Sequence, residues 1–185
     1  MKYHRPDITH GLIHLTGDRS AKGGLSAEDA LHSILMGGVI KGSGNNGFIK
    51  GHTRATCLTE MPLKSLSYFI ESHYTKHKYE SFGIAMSKQS AWSVGARPVI
   101  YLPDNEALWI PENEKWRHVQ FNHGEVDFTH EREWRAPNDI DMKNFGVYVI
   151  VPNRDHENKI KKIVSDFIKN NIIGYLHMEY INDIL

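Results

Sequence analysis

Gly11-Leu-Ile-His-Leu-Thr16 is a short apolar run that alternates at its end, with two polar side chains two residues apart. Side chains alternate across a strand, so His14 and Thr16 are expected on one face. A glycine- and charge-rich loop from Gly17 to Gly24 follows. Ser26-Ala-Glu-Asp29 then reads as a helix start, with a serine N-cap and acids in the first turn, where they complement the helix dipole. Ala30, Leu31, Ile34 and Leu35 carry the helical spacing, and Gly37-Gly38 ends it.

Working outward, Arg54-Ala-Thr-Cys-Leu-Thr-Glu60 reads as a second strand running into Met61-Pro62, and Pro62 suits the first turn of a helix reaching about residue 77. Phe82–Ser87 and Arg97–Leu102 are expected strands with a short helix over Gln89–Ser93 between them. Trp116–Phe121, Thr129–Arg135 and Gly146–Val151 are further strands. A final helix is expected from Asp155 to about Asn170, with Ile160, Ile163, Val164, Phe167 and Ile168 as its apolar stripe. The pattern predicts an α+β fold: one domain over residues 1–185, with a mixed, mostly antiparallel sheet flanked by a few helices.

The chain has 185 residues, enough for one domain with a substantial core. Lys+Arg and Asp+Glu are 22 each, a balance that argues against a nucleic-acid coat or a polybasic membrane anchor, though not against a local basic patch. Cys57 is the only cysteine, so no disulfide framework or CxxC site is expected. The first ten residues have no apolar signal region and no stretch reaches the length of a membrane span, so a cytoplasmic protein without membrane contact is expected.

Three groups of residues bear chemistry. Glu131 and Glu133, two apart on an expected strand, would share a face that Arg135 extends, and a carboxylate aimed at a sugar stabilises oxocarbenium-like charge. A solvated face of Glu–Arg pairs explains the same spacing. His14 and Thr16 would offer an imidazole and a hydroxyl to a ribose and an amide, against the alternative of a satisfied core histidine. Because each strand puts its polar residues on one face, the His14/Thr16 strand and the Glu131–Arg135 strand are expected to line one cleft. Thr59 and Glu60, at a strand end, would line a cleft or start the next helix. His73 and His77, four apart on an expected helix, lack an identifiable third ligand, so no metal is assigned. Cys57, mid-strand among apolar residues, is expected to be inert. Tyr68, Tyr74, Tyr79 and Trp92 are available to stack a planar ring.

The strings Leu12-Ile-His-Leu-Thr16 and Ser33-Ile-Leu-x-Gly37-Gly-Val-Ile40 resemble the opening of proteins with the ADP-ribosyltransferase fold. That resemblance implies that His14 orients the ribose of NAD, that a nearby hydroxyl such as Thr16 contacts ribose or substrate, and that a late-strand glutamate grips the nicotinamide ribose. Glu133 would be that glutamate, with Glu131 on the substrate side, NAD as substrate and no metal. Cys57-Leu-Thr-Glu-Met-Pro62, Phe82-Gly-Ile-Ala-Met-Ser-Lys88, Gly95-Ala-Arg-Pro-Val-Ile-Tyr101 and Glu131-Arg-Glu-Trp-Arg135 resemble uncharacterised bacterial proteins linked to abortive phage resistance. Together these imply an NAD-using ADP-ribosyltransferase or NAD glycohydrolase in phage defence or a toxin–antitoxin system, with a protein or nucleic acid as acceptor. Thr59, Glu60 and Arg135 would assist cofactor binding. Two other readings stay open: a non-catalytic, antitoxin-like component that binds a nucleotide or protein, and a metal-dependent hydrolase or nuclease.

Overall fold

β1 (Gly11–Leu15) leads through a loop to α1 (Ala27–Gly37), whose start is fixed by the Ser26 hydroxyl accepting the Asp29 amide at 3.1 Å. Gly38, at φ +67°, closes that helix in the left-handed conformation that glycine adopts without penalty. These assignments come from a computed structural model, which describes residues 9–45, 48–72 and 79–184. The short β2 (Val39–Ile40) is followed by β3 (Ala55–Thr59), α2 (Leu63–Glu71, capped by Pro62), β4 (Gly83–Ser87) and α3 (Lys88–Ser93). Then come β5 (Arg97–Pro98), β6 (Ile100–Leu102), β7 (His118–Gln120), β8 (Glu133–Pro137), β9 (Ile140–Asp141) and β10 (Val147–Val151). The chain closes with α4 (Arg154–Ile163), α5 (Asp166–Lys169), β11 (Ile172–His177) and α6 (Met178–Ile184).

Seven strands form the main sheet in the order β11-β10-β4-β1-β3-β8-β5. Every ladder in it is antiparallel except β10–β11. The expected single-domain α+β class with a mostly antiparallel sheet therefore holds. Two small ladders, β2–β9 and β6–β7, lie beside it.

The alternation along β1 divides the molecule into two layers. Leu12 joins Leu58, Ile84 and Val149 under Leu31 and Leu35 of α1, Ala91 of α3 and Ile160 of α4. Ile13 and Leu15 face the other way, toward Met61, Leu66 of α2 and Met178 of α6. Further along this second face, Ala55 packs with Ile49 and Trp116. Gly83 lies opposite Leu15, and a Cβ there would overlap the His14 carbonyl, so the β1–β4 approach requires glycine.

Several boundaries depart from the sequence reading. Thr129–Arg135 is not one strand: residues 129–131 make a 3-10 turn, Arg132 takes a left-handed conformation at φ 45°, and β8 starts only at Glu133. Trp116 belongs to a 3-10 stretch, Glu112–Arg117, that precedes β7. The strand expected over 97–102 breaks at Val99, whose amide pairs with the Glu133 carbonyl. The last helix is interrupted where Val164 extends and Ser165 donates its hydroxyl to the Leu35 carbonyl at 3.1 Å. β11 and α6 were not anticipated, since their apolar residues show no sustained period.

Leu31 is fully buried and Met36, on the same helix, is half exposed. Leu31→Ala should cost about 2–5 kcal/mol in denaturant unfolding, and Met36→Ala about 0.5 kcal/mol or less. Equal costs would contradict the orientation of α1.

Candidate functional site

Cross-strand register decides what meets what. Ile13 faces Thr59, and Thr59 faces Glu133, so these three share the sheet face that carries α2. His14 alternates with Leu12 to the other face, opposite Ile84. The polar faces of β1 and β8 are therefore not one face, and the shared cleft expected from alternation alone does not form that way. Contact between them runs through β3.

The seam between β1 and β3 explains how. Alternate residues of β3 pair with β8, as the Glu60 amide to Arg132 carbonyl and Asn138 amide to Arg54 carbonyl bonds show. Ala55, Cys57 and Thr59 thus turn their backbone groups the other way. Thr59 meets Ile13 and Ala55 meets Ser43, while the Cys57 carbonyl takes the His14 ring at 2.8 Å. A carbonyl only accepts, so His14 Nδ1 carries the proton and Nε2 is left as an acceptor. Burial lowers the His14 pKa, with the Arg19 guanidinium acting in the same direction, and the neutral ring is the resting form. Nε2 has no partner among the described residues.

On the α2 face, Arg135 is almost wholly buried and grips Glu133 with two bonds, Nε to Oε1 at 2.8 Å and Nη2 to Oε2 at 3.1 Å. Its Nη1 donates to the Trp116 and His118 carbonyls at 2.8 and 3.1 Å. Burial opposes the charged guanidinium, but Glu133 and Cys57 beside it more than offset this and hold its pKa above the ordinary value. Arg135 is thus a positioning residue for Glu133, and its guanidinium faces no ligand space. The Glu133 amide donates to the Tyr101 hydroxyl at 3.1 Å, which in turn reaches the Phe128 carbonyl at 3.3 Å. Burial pushes the Tyr101 phenol up to about 12.

Cys57 lies against this pair. Burial and the Glu133 carboxylate push its thiol up to about 12, so it is a neutral neighbour at pH 7 and no nucleophile. Tyr79 closes the cluster. Burial raises its phenol, with Glu131, Cys57 and Glu133 adding to the effect and Arg19 opposing it. Arg19 is exposed and acts on both His14 and Tyr79. Around the seam, His14 is thus joined to Cys57 by a hydrogen bond, and Arg19, Tyr79, Glu133 and Cys57 influence one another through charge. Glu131 joins through Tyr79 and Tyr101, although the turn at Arg132 breaks its strand alternation with Glu133.

Three expected ligand groups serve the scaffold instead. Thr16 is buried, and its hydroxyl is engaged by the Ala27 and Phe82 carbonyls at 2.8 and 3.1 Å. The Thr59 hydroxyl donates to the Glu131 carbonyl at 2.5 Å and accepts from the Met61 amide at 3.1 Å, which sets the entry to α2. Glu60 points to the α1 face, where Lys88 pairs with one oxygen and Trp134 Nε1 donates to the other at 3.0 Å. His73, Tyr74 and His77 lie outside the described residues. Among the described residues no group of three potential metal ligands occurs, and no helix is long and apolar enough to cross a membrane.

Arg19, Tyr79 and Tyr101 were not assigned from sequence. Only Tyr79, as one of several aromatics, gave any signal, because their convergence depends on loops of irregular length. Comparison with known protein families, curated proteins and solved structures finds no match.

Arg135→Met should destabilise the protein by about 3–5 kcal/mol, since it strands a buried carboxylate, and a denaturant-measured change under about 1 kcal/mol would show that the pair is solvated. Cys57 should resist iodoacetamide at pH 8 in the folded protein and react on unfolding. Because its folded-state pKa is raised, its contribution to stability is complete below the unfolded thiol value. That contribution should be lost as pH rises from about 8.5 through about 12.

Proposed function

We propose that this chain consumes NAD, as an ADP-ribosyltransferase or an NAD glycohydrolase, at the seam between β1 and β3. The observation that carries the reading is the meeting of a backed carboxylate and a neutral imidazole at one residue. Glu133 touches the Cys57 thiol on one side of β3, and His14 bonds the Cys57 carbonyl on the other.

A carboxylate has about four lone-pair sites, and Arg135 uses one on each oxygen, so Glu133 retains acceptor capacity for ribose hydroxyls. As the bond from C1′ to the nicotinamide nitrogen breaks, its electron pair leaves with nicotinamide and positive charge develops on the ribose. A fixed carboxylate at that point stabilises the transition state more than the ground state. Water or an acceptor nucleophile then attacks C1′ and releases its proton, with Glu131 on that side. His14 contributes as a hydrogen-bond acceptor through Nε2, which suits a ribose hydroxyl or the nicotinamide amide N–H. Arg19, exposed and near enough for its charge to act on His14 and Tyr79, supplies the cation that a pyrophosphate calls for. The sequence resemblance to phage-resistance proteins supports a role for this activity in bacterial defence or a toxin–antitoxin pair.

A second reading, a nucleotide- or protein-binding component without turnover, is favoured by one fact. Thr16, Thr59 and Glu60 are all engaged in the scaffold, which leaves fewer groups to act on a substrate.

The test is nicotinamide release from NAD in the presence of cell lysate. Glu133→Gln should lower turnover about 10²-fold or more, on the order of 3 kcal/mol in barrier. It also removes the countercharge of Arg135, so rates are to be normalised to the folded fraction. His14→Ala leaves that pair intact and should raise the NAD concentration required. A parent protein that neither binds nor consumes NAD would overturn the reading in favour of binding without turnover.

A further inference from the structure

Leu108 is the most exposed large apolar side chain among the described residues, at 84%, and its neighbour Trp109 is 67% exposed. Both project from the 3-10 turn Ala107–Trp109, which follows β6, the strand next in the chain after the sheet's edge strand β5. Residues 103–114 around them hold Asp104, Glu106, Glu112 and Glu114 and no lysine or arginine. Lys50, Lys115 and Arg117 pair with three of these acids, and Glu106 has no ion pair among the described residues.

The opposite end of the sheet carries the complement. Where α4 breaks before α5, a groove of about 360 Å³ opens between Lys161, Val164, Lys169, Ile172 and Tyr175. Residues 159–169 include four lysines and a single aspartate. Lys161 pairs with Glu157 and its ammonium lies 5.0 Å from the centre of the Tyr175 ring, while Lys169 is exposed. The floor is apolar, one wall is aromatic and the rim is cationic. That chemistry suits an aromatic wedge with an acidic collar. The groove is also roomy enough for an indole, since an apolar cavity of about 150 Å³ already takes benzene.

We propose that the Leu108–Trp109 turn of one copy docks into the β11 groove of a second copy. β11, which lines the groove, and β5, which leads through β6 to the wedge, are opposite edge strands of the seven-stranded sheet, so the contact is drawn between two copies. The contact is heterologous, head to tail, and each added copy leaves one wedge and one groove open. The chain's balanced charge removes net self-repulsion, while Glu106, the acid beside the wedge that the Lys50, Lys115 and Arg117 ion pairs leave over, and the exposed Lys169 of the groove set the orientation. Trp109 is the anchor, as a large aromatic in the centre of such a contact commonly is.

Sedimentation velocity of the full chain over a concentration series tests this. The parent should self-associate, less at high salt. Trp109→Ala and Lys169→Glu should each weaken association at least about 10-fold while melting like the parent, because both positions are exposed. Mixing the two variants is decisive. The intact wedge of Lys169→Glu meets the intact groove of Trp109→Ala, so the mixture should recover association but stop at the dimer. A parent that stays monomeric at about 1 mM overturns the proposal. So does association that ignores either substitution, or a mixture that fails to recover it.

Discussion

A guanidinium inside a sheet demands a reason, and Arg135 is the point on which the surrounding structure depends. Taking a charge out of water costs several kcal/mol unless partners surround it. Arg135 has the two oxygens of Glu133 and the carbonyls of Trp116 and His118. Those carbonyls belong to the end of the 3-10 stretch Glu112–Arg117 and the start of β7, outside the main sheet, so the buried charge ties that segment to β8. The segment in turn supplies Trp116, which covers Ile49 and Ala55. One ion pair thereby fixes the carboxylate, holds a wall over the far end of the face and gives Cys57 its polar neighbour.

The same economy appears on the other side of β3. Had β1 continued its ladder, the Cys57 carbonyl would meet a backbone amide, and the His14 ring would stay with Leu12 in the core. Instead the imidazole takes the carbonyl and the strands part. A polar group that would be costly if orphaned is satisfied, and a second ring nitrogen is left available. β1 remains rigid because its other edge is fully paired with β4 from Gly11 to Leu15. The seam is therefore a local opening in a firm sheet, which places its side chains more precisely than a loop would.

Local chemistry was legible in the sequence where one residue decides the outcome. Ser26, Gly38 and Pro62 mark helix ends by hydrogen-bonding capacity or fixed torsions, and all three stand where the sequence puts them. The alternation of Leu12 to Leu15 told which side chains part company. Legibility failed where two locally sound rules compete. Glu131 and Glu133 have perfect strand spacing, yet Arg132 adopts a left-handed conformation that spacing does not reveal. Thr16 and Glu60 are chemically fit to bind ligands. Their partners, Ala27, Phe82, Lys88 and Trp134, lie 11 to 74 residues away and become visible only in the fold. Strand spacing puts Glu133 and Arg135 on one face, and they are neighbours there. Which of them faces ligand and which is buried depends on the carbonyls of the Trp116 segment.

That division of labour bears on what the site can do. An arginine aimed outward would draw a phosphate to itself and compete with any role for the carboxylate. Turned inward, it restrains Glu133 to one geometry and leaves the outward cation to Arg19, on a separate loop. Charge and position are thus supplied by different residues: a buried clamp held by four hydrogen bonds and an exposed guanidinium. The proposed substrate, with a ribose at one end and phosphates further along, would need that order of rigidity, tight where a bond breaks and loose where a charge is held. The neutral His14 fits the same logic. In the proposed reaction a protonated ring there would compete with the developing ribose cation for Glu133, and burial, with the charge of Arg19 acting in the same direction, keeps it uncharged.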